Sequence, residues 1–385
     1  MSDVPNNENF SLIDVYNSVH SHASGVSSNL SSCFSYSVLA YFDPTYNTTS
    51  YAPDNSMKRF RNYRPVTATA PIFTSITFPN GITSYMQPVE TNCSDGGSPI
   101  TERGIWYNTT GPTPTGTKVL LSSTTGSITT NISGMSPGTS YYFTAYATNA
   151  IGTTYYSFAS SMATMPYEYI FAGTGGYFNI PSRLIKLTVE CVGSGGAGGA
   201  ATGSNSVAGG GAGGSYARYD NLSVAPGQQY GFYSDTGGVG NIGNANGNGA
   251  DSYFSGPNGE CRATGGAAGL TATGTYSTGG VASTSTSVGT TIYKGGNGGS
   301  GYMTSSGGGG GAAGSTGAGN NGSNATPGAA KSNYGGAGGA GVSVVNTYNN
   351  GGSYGGGGSG GKSPLAGTDT KGGNGGSGMV RLTFP

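Results

Sequence analysis

Charge is what this chain has least of. Among 385 residues, 15 are Lys or Arg and 15 are Asp or Glu, which is 8 % of the whole, and the formal net charge is zero. Without a basic surplus there is nothing to neutralise phosphates, so the composition argues against nucleic-acid binding. Near-zero net charge also removes the usual defence against association. Such a chain is expected to assemble, or to depend on Ser, Thr and Asn for solubility. Histidine is nearly absent: His20 and His22 stand in a polar stretch, and no serine or cysteine nucleophile can be tied to them. The scattered carboxylates offer no glycosidase pair. No enzyme is expected, and no cofactor or metal is implied. Cys33, Cys93, Cys191 and Cys261 are far apart and form no CxxC. A disulfide framework or zinc site is therefore not expected. Pairing of Cys191 with Cys261 stays open, with buried thiols as the default. No apolar run approaches the about 20 residues of a membrane span. The polar, acidic start from Met1 to Asn9 lacks the basic and apolar segments of a secretion signal. The expectation is a protein made in a cytoplasm, released by lysis if at all, without membrane insertion.

Glycine is what the chain has in excess: 76 residues, all but eleven of them beyond position 170. Runs such as Gly307 to Gly311 and Gly355 to Gly358 have no side chains to bury, so a conventional core cannot form from them. Yet strand-like sequence borders this field, with Leu184 to Val192 at one end and Met379 to Phe384 at the other. Glycine at this level normally signals low complexity. Disordered chains, however, are poor in aromatics and rich in charge, whereas this one spreads 27 tyrosines along its length. Without a Cβ, extended chains with three residues per turn can pack backbone to backbone through N–H···O and Cα–H···O contacts. We therefore expect glycine-rich strands or polyglycine-type helices packed as a sheet or lattice, shared among subunits. Disorder across 267–375 is the competing reading. Collagen is excluded, because strict Gly-X-Y period and proline richness are missing.

Before the glycine field the chain reads as two further parts. Residues 1–65 form a short helical module. Leu12, Tyr16 and Val19 share a helical face, Ser11 and Asp14 resemble a capping box, and Leu30, Phe34 and Val38 suggest a second helix ended by Pro44. This is too little for an independent core and reads as a docking segment. Residues 66–165 read as seven short strands, with alternate positions from Tyr141 to Ala147 facing inward. Met135, Pro137, Thr139, Tyr141, Ala147, Asn149 and Gly152 follow the fibronectin type III pattern, which this segment resembles. The resemblance implies a β-sandwich. In it the Tyr141 hydroxyl bonds back to nearby backbone, and Trp106 takes the core tryptophan position.

Residues 166–385 form the third part. Gly214 to Arg218 and Leu222 to Tyr230 read as a hairpin, and Asp251 to Phe254 and Cys261 to Gly266 as short strands; the positions that carry a resemblance are Tyr216-Ala217, Val224 to Tyr230 and Ser252 to Phe254. With Val189 to Gly196 and Gly378 to Phe384, this order resembles the glycine-rich C-terminal domain of bacteriophage tail and fibre proteins. Two literal motifs are refused. Gly193 to Gly198 matches GxGxxG, but more glycine follows where a dinucleotide site needs a helix. Gly356 to Ser363 matches a phosphate loop, but Pro364 forbids the helix.

The resulting fold class is mainly β: a helical N-terminal module, a fibronectin-like sandwich and a glycine-rich domain. The resemblance implies a virion-located fibre or spike subunit, trimeric by analogy. Its N-terminus would dock to other virion proteins, and its glycine-rich end would face the host. The expected ligand is a surface glycan or an outer-membrane protein. Tyr293, Tyr302, Tyr334, Tyr348 and Tyr354 stand in small, polar loop sequence and suit sugar stacking. Equally, they could anchor loops to the scaffold. The rival is a purely structural head fibre or capsid decoration without a receptor site.

Overall fold

The computed structural model describes residues 11–20, 33, 68–242, 247–331, 334–365 and 367–385. It is mainly β, with one short helix at the start, α1 (Leu12–His20). Asp14 accepts hydrogen bonds from the Ser11 backbone N–H at 2.6 Å and its hydroxyl at 2.8 Å, the carboxylate half of the capping box that the sequence suggested; the Asp14 N–H bonds the Ser11 carbonyl instead of its hydroxyl. The Ser11 backbone bond holds the Asp14 carboxyl below its ordinary value. The expected second helix lies outside the described residues, apart from the helical Cys33.

Eight strands follow: β1 (Ile72–Thr77), β2 (Met86–Ser94), β3 (Glu102–Asn108), β4 (Thr117–Leu121), β5 (Gly126–Ser133), β6 (Ser140–Thr148), β7 (Thr153–Ser157) and the two-residue β8 (Met162–Ala163). They form two antiparallel sheets, β1-β2-β5 and β4-β3-β6-β7, with β8 pairing β6. The chain divides into two compact units, residues 1–77, 90–130 and 142–161 in one, and 78–89, 131–141 and 162–385 in the other.

In the first unit Phe73, Cys93, Ile105, Phe143, Ala145 and Ala147 are buried. The positions expected to face inward on β6 are buried, but so are Thr144 and Tyr146 between them, so this strand is covered on both faces. Trp106 does not occupy the core. Along β3, Arg103 and Ile105 are fully buried, while Trp106 is half-buried. A residue one step along a strand faces the opposite side, so Ile105 takes the inward place. The Trp106 indole instead lies 5.6 Å from the Lys118 ammonium and 6.4 Å from the Tyr146 ring. Arg103 crosses the core and donates to the Thr91 carbonyl at 2.7 Å and the Thr124 carbonyl at 2.8 Å, and burial lowers its pKa. Asn149 ties the loops: its Nδ2 donates to the carbonyls of Thr69 and Asp95, and its Oδ1 accepts from the N–H groups of Ile151 and Gly152. Gly152 is less constrained than its match to the pattern implied. A Cβ there would meet only ordinary contact with Ala70.

In the second unit, Tyr141 accepts a hydrogen bond from the Ser136 N–H at 2.9 Å, the backward bond expected of this tyrosine. The Pro137 carbonyl accepts from the Thr139 hydroxyl nearby. The remaining strands of this unit are β9 (Glu168–Ala172), β10 (Gly175–Asn179), β11 (Lys186–Val192), β12 (Tyr216–Ser223), β13 (Gln229–Tyr233), β14 (Ser252–Gly256), β15 (Gly259–Ala263), β16 (Tyr276–Ser277), β17 (Thr291–Tyr293), β18 (Gly301–Tyr302) and β19 (Met379–Thr383). Two sheets, β17-β12-β11-β19-β9 and β10-β13-β14-β15, share one apolar core. Leu187, Val189 and Cys191 of β11 and Val380 and Leu382 of β19 meet Tyr230, Phe254 and Cys261 there. β12 and β13 are not a hairpin; the turn at Val224 to Gly227 carries the chain from one sheet to the other. Cys191 and Cys261 are free thiols, and Cys191 Sγ donates to the Cys261 carbonyl at 3.4 Å. Burial pushes the Cys191 thiol well up.

The glycine runs continue directly from these strands. Val192 ends β11 and Gly193 enters the first run; a second run ends at Ser215, where β12 begins. Within the run 207–215 the hydrogen bonds repeat every third residue. Ala208, Gly211 and Gly214 donate to Gly361, Gly358 and Gly355; Gly209, Ala212 and Ser215 donate to Leu270, Ala267 and Thr264; Gly210 and Gly213 donate to Gly299 and Gly296. The same run accepts from 193–199, from 307–313 and from Gly280. A period of three is that of an extended polyglycine-type helix. This helix therefore has neighbours on six sides, and every one belongs to the same chain. The expected lattice is present, but completing this shell needs no second subunit. The literal GxGxxG and phosphate-loop segments are both buried lattice runs.

The glycines are required here because of space. Few of them in these runs have positive φ. A Cβ on Gly196, Gly211, Gly309 or Gly357 would land within 3.0 Å of a carbonyl oxygen of Ala267, Gly196, Gly357 or Gly211 respectively. Those carbonyls are themselves fixed by hydrogen bonds, so nothing yields cheaply. At Gly274, by contrast, nothing lies within 4 Å and φ is ordinary.

Two outcomes follow from this packing. Gly211→Ala will lower thermal stability of the second unit by about 3 kcal/mol or prevent its folding, whereas Gly274→Ala will leave the melting temperature unchanged or slightly raised. Tyr141→Phe strands the Ser136 N–H and will cost about 1–2 kcal/mol in chemical unfolding.

Candidate functional site

Runs leading away from the strands alternate with runs returning to them. The run 193–201 departs and 206–215 returns antiparallel to it, as Gly196 N–H bonds Ala212 and Gly199 N–H bonds Gly209. The pairs 264–272 with 277–280, 294–301 with 306–313, 335–342 with 348–352, and 355–362 with 370–378 repeat the pattern. Every outward turn therefore falls at the end remote from β11 and β19. There the turns 202–205, 271–276, 302–305, 343–347 and 363–369 gather (residue 366 is not described).

Polar bonds lock these turns together. Lys362 is the centre: its Nζ donates to the Thr304 carbonyl at 2.5 Å and the Ser343 carbonyl at 2.6 Å, and its own carbonyl accepts from the Asn346 N–H. Ser363 Oγ donates to the Gly203 carbonyl and accepts from the Ser206 N–H, while Asp369 accepts from the Gly203 N–H. Met303 N–H bonds the Thr275 carbonyl. Asn205, Met303 and Asn346 adopt positive φ in these turns, as does Ala325, whose N–H bonds the Ser306 carbonyl, in the turn 323–326. Such strain persists only where surrounding structure over-determines it.

Large apolar side chains are nonetheless exposed at this end. Leu365 is 80 % exposed and Val344 63 %, with Tyr276, Tyr302, Met303 and Val345 also open to solvent. Tyr276 and Tyr302 are directly opposite in the two-stranded sheet β16-β18. The arrangement offers a rigid, chemically mixed surface suited to binding.

The five tyrosines singled out from the sequence are split by the fold. Tyr302 and Tyr348 lie toward the loop end, with the Lys371 ammonium 5.0 Å from the Tyr348 ring. Tyr293, Tyr334 and Tyr354 sit at the opposite end, half-buried against Val192, Tyr216, Ala312 and Met379. These three are anchors joining lattice to sheet. Beneath them Glu190 accepts from the Tyr216 hydroxyl at 2.5 Å and pairs with Arg381 at 2.6 Å, and Arg381 also pairs with Glu168 at 2.6 Å. Burial and the Glu190 carboxylate push the Tyr216 hydroxyl far above its ordinary value. Burial opposes charge on Arg381, but Glu168 and Glu190 outweigh it and raise its pKa.

Lys362, Leu365, Val344 and Met303 escaped the sequence reading. Their signal was a local period of three. Gly-Gly-Ala-Gly-Gly-Ala recurs at 195–200 and 335–340, and Gly-Gly-Asn-Gly-Gly-Ser at 295–300 and 372–377. Interruptions of that period mark the turns. Asparagine side chains add bonds between neighbouring runs: Asn321 Oδ1 accepts from the Asn297 N–H, and Asn350 Oδ1 from the Asn374 N–H.

A family model described as a glycine-rich domain matches residues 170–385, more than half the chain, and the chain belongs to that family. No curated protein matches the chain. No helix among the described residues is long and apolar enough to cross a membrane.

Lys362→Met removes two bonds between turns while leaving the lattice intact. Limited proteolysis will cut the mutant within 302–305 or 343–347 at least about tenfold faster, as expected for lowered local stability, with the melting temperature nearly unchanged.

Proposed function

We propose that this member of the glycine-rich domain family is a structural subunit of a bacteriophage virion, a fibre or spike that attaches the particle to its host. The observation that carries the reading is the end of the lattice. Several turns are bonded into one surface around Lys362, and that surface exposes Leu365, Val344, Tyr302 and Met303. Exposed apolar side chains on a rigid support are the signature of an interaction surface. The lattice makes such a surface tolerant of change. Its stability resides in backbone bonds among glycine runs, so turn residues can vary without disturbing a side-chain core.

In this reading residues 1–65 dock to other virion proteins, and the fibronectin type III-like sandwich of 66–165 acts as a spacer. The ligand is a host-surface glycan or an outer-membrane protein. Homotrimeric assembly belongs to the proposal by analogy with fibres, and the lattice itself does not call for it.

The test is binding of the purified full chain to a panel of bacterial strains. Selective binding to some strains is expected, reduced at least about tenfold by Leu365→Asp with Val344→Asp, a loss on the order expected for interface anchors. Binding to none, or binding untouched by the double substitution, would remove the attachment role.

A further inference from the structure

The sheet β10-β13-β14-β15 has one face in the core and one facing out. On the outer face Gly175 lies opposite Tyr233 and Tyr177 lies opposite Gly231. The Tyr233 ring lies against Gly175, where a Cβ would strike it, whereas the Gly231 backbone is left open beside Tyr177. The result is a shallow trough of about 450 Å³, floored by Gly175, Gly176 and Gly231 and walled by Tyr177, Tyr233 and Tyr253. Tyr177 is 72 % exposed. Tyr233 and Tyr253 stack at 6.0 Å, which holds their planes along one wall. Two residues further along the same strands, beyond the trough lining, Gln229 Nε2 donates to Asn179 Oδ1 on the exposed surface.

We propose that this trough binds a neutral oligosaccharide. Tyrosine rings offer flat apolar faces to the C–H groups of a pyranose and hydroxyls to its oxygens, at low entropic cost. The exposed Gln229 and Asn179 amides, next along the same strands, are of the kind that donate to and accept from the hydroxyls of a longer sugar chain. Charge selects among sugars. Arg262 lies over the Tyr253 ring at 4.6 Å, but it is paired with Glu260 at 2.5 Å and Asp251 at 3.4 Å. Two carboxylates against one guanidinium leave this flank with a net charge of −1, which repels sialylated, sulfated or phosphorylated ligands. The trough lies on the side-chain sandwich, among residues other than the turns around Lys362, so the inference stands independently of the attachment role.

The experiment uses the full chain on an array of linear neutral glucans, mannans and galactans beside sialylated and sulfated oligosaccharides, with hits measured by calorimetry. Binding to at least one neutral oligosaccharide is expected. Tyr177→Ala should weaken it at least tenfold without moving the melting temperature, because that side chain is mostly exposed. Tyr177→Phe, which keeps the ring, should lose no more than about fivefold, the worth of one exposed hydrogen bond. Absence of neutral-sugar binding, preference for the anionic set, or equal affinity in Tyr177→Ala would overturn the proposal. So would binding of a proline-rich peptide in place of any sugar, since aromatic-lined grooves also take polyproline helices.

Discussion

A carbonyl oxygen occupies the place where a Cβ would be. That constraint, repeated at glycine after glycine between 193 and 378, determines the rest of the second unit. Ordinary cores exclude water by interlocking side chains. Here the helices approach until backbone meets backbone, and exclusion is achieved by peptide groups that bond in three directions per turn. Glycine loses about 0.5–1 kcal/mol relative to alanine when ordered. A backbone hydrogen bond returns about 0.5–1.5 kcal/mol net, and a Cα–H···O contact about 0.5–1 kcal/mol. The terms are comparable, so an isolated run gains little. Runs with all six sides occupied, such as 207–215, gain most, and they are the buried ones.

The strands supply what glycine cannot. Val192 and Tyr216 are cross-strand partners, and the next bond, from the Gly193 N–H to the Ser215 carbonyl, already belongs to the lattice. The side-chain core of Leu187, Val189, Phe254 and Leu382 therefore fixes the direction and register of the first runs. Tyr293, Tyr334 and Tyr354 fasten the base of the lattice from the other face of the same sheet. At the far end Lys362, Ser363 and Asp369 hold the turns with polar bonds, over a small buried cluster of Ala201, Ala208 and Ala272. Stability and surface chemistry are thus carried by different residues.

Much of this was legible before the structure. The border strands, the Ser11 and Asp14 cap, the backward bond of Tyr141 and the packed glycine runs all follow from local patterns. The misses have physical causes. The fibronectin type III resemblance implied a core place for Trp106, but strand parity put Ile105 there. The tyrosines near Lys362 and those beneath the lattice look alike in sequence, because the same glycine flanks surround both. Only the alternation of outgoing and returning runs tells the two ends apart, and the Gly-Gly-X period that encodes it was overlooked. Tyr177, Tyr233 and Tyr253 stood in plain strand sequence, and their convergence depends on β13 crossing to the second sheet.

The most direct measurement of the central claim is residue-resolved amide hydrogen exchange in the native chain. The account predicts that amides of 207–214 and 307–313 exchange as slowly as those of β11 and β19, opening only with global unfolding. Rapid exchange along those runs, beside protected strands, would mean that the glycine backbone is solvated and the lattice does not exist in solution.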